Sequence, residues 1–155
     1  MQTRDFFVRS AIVAAALAVT GGAVLAWLAS RTEADIAAHR ERVVVQARQA
    51  APAAASATAL AALPAPVQRY FAFTFRGAPP PQASHVELAM EGRFRRPRND
   101  TFTPTRAEQT IAVHTPALVF AATTPLLPGV PALTARAYDA YAGGQMEMKA
   151  KLLSA

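Results

Sequence analysis

The chain has 155 residues, a net charge of +6, no cysteine, and a hydrophobic fraction of 52% of which little is aromatic. That length holds one modest domain plus an appendage, and the missing cysteine excludes disulfides, thiolate nucleophiles and cysteine-ligated zinc while leaving the redox compartment open. The basic residues are nearly all arginines scattered through every segment, which disfavours nucleic acid as a partner despite the charge.

Residues 1–9 read as a tail. Residues 10–30, "SAIVAAALAVTGGAVLAWLAS", run without a charge, and as a helix rising about 1.5 Å per residue they match the roughly 30 Å hydrocarbon core of a bilayer. Lipid forces a helix because backbone groups must be satisfied internally, and Trp27 suits the interface. A cleaved signal peptide fits less well, since its apolar run is usually about 7 to 15 residues and Trp27 and Leu28 spoil a small-residue cleavage site. Arg31, Arg40, Arg42 and Arg48 follow the span while Arg4 and Arg9 precede it, so a bare charge count places the remainder in the cytoplasm. A first span at the extreme N-terminus acts as a signal anchor for a long downstream domain, however, and the expectation is a single-pass membrane protein with an extracytoplasmic C-terminal domain.

Residues 31–50 form an amphipathic stalk helix with Ile36, Val43, Ala47 and Ala50 on one stripe. It is expected to pack on its own domain or dimerise in preference to lying on anionic lipid, with His39 solvated. Residues 51–62, rich in Ala and Pro, read as a linker. A partial β-rich domain fills 63–155, opening with a short helix in which Pro66 occupies the first turn and Val67, Tyr70 and Phe71 share a face expected to be core.

Five strands follow. Residues 84–95 alternate Val86, Leu88, Met90 and Phe94 against charged residues. Residues 101–114 put Ala107, Gln109, Ile111 and Val113 on one side, with Pro104 confining the start to an edge or bulge. Residues 117–123 are continuously apolar, and strands at 133–141 and 145–153 are joined across "AGG", where glycine supplies the positive φ of a tight hairpin turn. The pattern predicts an α+β, mainly β fold: a transmembrane helix and stalk helix, then an antiparallel meander of about five strands with one apolar face.

That face needs a cover, and the helix at Pro66 is too short to provide one. Met90, Met146 and Met148 offer an adaptable lining, and Gln109, Asp139 and Tyr141 fall on the same side, making these six the ligand-binding candidates. Asp139 reads first as a structural acceptor for Arg69, Tyr70 or Gln109, and otherwise as a ligand contact. The turn "RFRRPR" reads as solvated, with phosphate or lipid headgroups as the functional alternative. No G-x-S-x-G, H-E-x-x-H or comparable cluster occurs, so no catalytic residue, metal ligand or cofactor is assigned; His85 and His114 read as solvent-facing.

The segments "LPAPVQRYFAF", "VELAMEGRF", "FTPTRAEQ", "PALVFAA" and "YDAYAGGQMEMKAKLLS", in that order, resemble a family of uncharacterised bacterial membrane-associated proteins, a domain of unknown function, over residues 63–154. Phe102 departs from the tryptophan typical of relatives. The resemblance implies the N-terminal half of a longer domain, so the chain reads as a fragment, and it carries no reaction, substrate or site residue. Three functions compete: a membrane-anchored β-domain holding a lipid-like or other hydrophobic ligand; an interaction or structural module whose apolar face a partner chain covers; and a fragment of an enzyme whose active site lies further on.

Overall fold

A computed structural model describes residues 2–50, 57–95, 97–98, 100–127, 130 and 133–153, without the side chains of 2–8 and 57. Residues 2–49 make one unbroken helix, α1 (Gln2–Gln49), about 72 Å long at 1.5 Å per residue. The expected span and stalk are therefore continuous. Its apolar N-terminal part is long enough to cross a membrane and none of its most hydropathic stretch is buried in the protein. The first half of the expected linker, 51–56, lies outside the described residues; its end is helical in α2 (Ala57–Ala61). Helix α3 (Ala65–Phe75) starts behind Pro64 and carries Pro66 in its first turn, where a missing N–H costs nothing. It ends on Arg76, which adopts the left-handed conformation at φ 51°, and Gln68 reaches back to donate to the carbonyls of Ala61 and Leu63.

Five strands then form a meander, β1 (His85–Arg95), β2 (Phe102–Ala112), β3 (Leu118–Pro125), β4 (Thr134–Ala142) and β5 (Gln145–Leu152). Every neighbour is antiparallel, in the order β1-β2-β3-β4-β5. The α+β class holds, although the length of α1 brings helix and strand to near balance. The β4–β5 turn has only two residues, and both are in positive φ, Gly143 at 60° and Gly144 at 78°, the backbone that matches the right-handed twist of a hairpin. Pro104 lies beyond the last β2–β3 rung, Arg106↔Thr123, so its backbone is paired in register with β1 alone, as on an edge.

The sheet has two differently built faces, and α1 covers the one expected to be solvent. Its stripe of Thr32, Ile36, His39, Val43 and Ala47 is buried against Val119, Ala121, Tyr138 and Ala140 of β3 and β4. The expectation of one oily face fails because β3 and β4 are apolar on both sides. Only β1, β2 and β5 alternate sharply, so the covered face is an apolar strip with charged margins. The helix seats on the strip and pairs its flanking charges with the margins. His39 is accordingly buried, not solvated. His85 and His114 are half-buried, and the Ser84 hydroxyl lies 3.0 Å from His85 Nδ1.

The aromatic residues of α3 are not core. No residue of α3 is buried, and Tyr70 and Phe73 are largely exposed. Tyr70, Phe71 and Phe75 stack on one another within the helix. Their 3.6-residue spacing is that of a buried stripe, but none of the described elements covers it.

Candidate functional site

Polar side chains converge where α1 crosses β4 and β5. Tyr138, 1% exposed, donates its hydroxyl to Glu147 Oε1 at 2.9 Å, and Lys149 pairs with the same oxygen. The His39 ring lies 5.3 Å from that of Tyr138. Arg42 can only donate, and its Nη2 lies 2.9 Å from His39 Nδ1 and 3.3 Å from Nε2, while Nε2 is 3.4 Å from Glu147 Oε2. Burial and the Arg42 charge hold the His39 pKa below its ordinary value, against the opposing pull of Glu147 and Asp35. Hydrogen bonds from Lys149 and then Tyr138 lower that of Glu147, while burial raises that of Tyr138 and the Glu147 contact raises that of Lys149.

Two further contacts fix the helix. Arg136, nearly buried, forks onto Glu33 with Nε–Oε1 at 2.8 Å and Nη2–Oε2 at 3.1 Å, and its Nη1 donates to Thr123 at 2.9 Å. Arg40 pairs with Glu108 near the surface. Every member of this set already has a protein partner, and the set bridges helix to sheet. It acts as a clamp.

The opposite face is open and carries all six candidate residues. The strand register arranges it in rows running across the sheet. Leu88, Gln109, Phe120, Asp139 and Met148 form one row; Val86, Ile111, Leu118, Tyr141 and Met146 form the next. On the other side of the first row lie Met90 and then four alanines, Ala107, Ala122, Ala137 and Ala150. Gln109, Asp139 and Met148 therefore share a row, Tyr141 and Met146 flank it on one side, and Met90 on the other.

Met146 and Met148 are 57% and 68% exposed, so β5 leaves its apolar side in solvent. Asp139 is half-buried, and it has no hydrogen-bond or ion-pair partner among the described residues. Its expected role as a structural acceptor is not met: Phe120 stands between it and Gln109, and Arg69 and Tyr70 sit on α3. The row of alanines appears only when the four registers are superimposed.

A family of unknown function, DUF6920, matches residues 61–155. The chain belongs to this family. No curated protein matches the chain, and no solved structure does. The DUF6920 region contains α3 and the whole sheet, but the segment of α1 that closes the charged face lies outside it.

Proposed function

We propose that this DUF6920 protein is a single-pass, membrane-anchored module whose sheet, held rigidly beside the bilayer by α1, takes a lipid-like ligand on its open apolar face. The supporting observation is the division of labour between faces: the helix occupies the charged-margin face through a built clamp, leaving Leu88, Met146 and Met148 exposed and Phe120 half-buried on the other. An apolar face of this kind loses about 25 cal/mol for each Å² left in water, and acyl chains are the apolar material a membrane-anchored sheet meets. The exposed methionines suit chains of varied shape.

Purification of the full chain in detergent, followed by mass spectrometry of retained lipid, tests this reading. The wild type is expected to retain lipid in excess of the detergent background and Met148→Asp to lose it; equal background levels in both would contradict it. In a second reading, supported by the exposed side of β5 at the sheet edge, a partner chain covers the same face, and crosslinking in membranes then traps one defined species through β5. The domain is proposed to be extracytoplasmic. A single cysteine at exposed Gln145 should react with an impermeant maleimide from outside intact cells; labelling only after lysis would reverse the orientation.

A further inference from the structure

The clamp also fixes which end of the sheet approaches the apolar part of α1. Glu33 is level with Arg136 and Thr123, whereas Ala47 and Ala50 lie near Ser84 and His114 at the other end. The helix thus crosses the sheet obliquely, from β4 at Glu33 to the β1–β2 side at Ala47, about 21 Å of helix advancing along most of the strand length. From the Glu33 level, β3 continues two residues to Pro125 and β2 extends back four residues to Phe102. These are advances of about 7 and 13 Å, which α1 covers in about four to nine residues. The described ends of the β1–β2 turn and of the β3–β4 loop therefore lie at the level of the last turns of the apolar segment, about that of Trp27.

The exposed residues at this end are of two kinds. Arg93, Arg95 and Arg98 surround the turn, with the first two guanidinium groups 5.9 and 5.8 Å from the ring of Phe102. Leu127, Val130 and Phe102 are exposed apolar groups beside them. The acids here are largely committed: Glu91 to Arg106 at 3.0 Å and Glu33 to Arg136, leaving Asp100 at 4.0 Å from Arg95. We infer that this end of the sheet docks on anionic phospholipid headgroups, the arginines binding phosphate and Leu127 and Val130 entering the interface. Guanidinium matches phosphate in a bidentate fork, basic groups at an anionic surface add binding that salt screens, and the aromatic ring holds two of the forks in place. The inference rests on the membrane span proposed above.

The chain has no cysteine, so single cysteines carrying an environment-sensitive dye report depth in the full chain. Labels at Leu127→Cys, Val19→Cys and Gln145→Cys are compared in nanodiscs of phosphatidylcholine alone and of phosphatidylcholine with phosphatidylglycerol. The Leu127 label should shift to the blue in the anionic discs, lose the shift in high salt and lose it in R93Q/R95Q/R98Q, while the Gln145 label stays water-like in every case. A water-like Leu127 label with a buried Val19 label would overturn this inference and leave the span standing. A water-like Val19 label would overturn the span itself, and with it the docking. A blue shift indifferent to lipid charge and to the arginine substitutions would overturn the headgroup assignment.

Discussion

Arg136 and Arg40 both pair with a carboxylate across the helix–sheet contact, yet their surroundings set different magnitudes. Arg136 is nearly buried and forked onto Glu33, so Glu33→Ala, which leaves that guanidinium with only its Thr123 bond, is expected to cost about 2 kcal/mol. Arg40 and Glu108 are both well exposed, and Arg40→Ala is expected to cost less than about 1 kcal/mol. Urea denaturation of the two variants in the same detergent checks the ratio. Gln46 makes an opposite prediction: its Oε1 is buried without a hydrogen-bond partner among the described residues, so Gln46→Met should raise stability by about 1 kcal/mol. His39 supplies the pH dependence. Its folded pKa lies below its unfolded one, so its contribution is complete above about pH 6.5 and is lost as protonation of the unfolded chain takes over at lower pH. Melting temperature should fall between pH 7 and 5, and His39→Gln, which keeps both hydrogen-bonding roles, should flatten that fall. The Glu147 contribution, with its folded pKa also lowered, is present above the ordinary carboxylate value and disappears further into acid.

At the scale of elements, the strands were legible in the sequence and their assembly on α1 was not. Period-2 alternation in Val86–Leu88–Met90 and Met146–Met148 locates β1 and β5 to within a residue or two, and the two glycines of the β4–β5 turn fix that register. The open apolar face and the six candidate residues on it follow from the same alternation. The covered face was missed because β3 and β4 are apolar on both sides: a continuous run such as "LVFAA" has no phase from which to assign a face. His39 was misplaced for a related reason, since a polar residue at the centre of an otherwise apolar stripe carries no local sign of a partner 108 positions away at Glu147. The aromatics of α3 have a helical stripe that sequence periodicity reads as core, whereas burial depends on a neighbour the pattern does not specify. The tight turn gives a direct test at this scale: Gly143→Val, placing a β-branched residue at φ 60°, should cost at least about 1 kcal/mol, measured by thermal denaturation.

For the whole molecule, one helix joins an apolar segment, whose most hydropathic stretch is not buried in the protein, to a sheet gripped by its charged margins. Since that stretch is not packed against the sheet, a chain beginning at Arg31 should keep the β-rich circular dichroism signal while losing membrane association, checked by flotation with vesicles. The central claim is that α1 takes the face of Tyr138 and Ala140 and leaves that of Asp139 and Met148 open. The most direct measurement is the alkylation rate of single cysteines at Ala140 and Met148 in the delipidated full chain. The account predicts rapid reaction at Met148→Cys and strong protection at Ala140→Cys, with protection lost on unfolding. Equal rates, or protection at Met148 with ready reaction at Ala140, would contradict it.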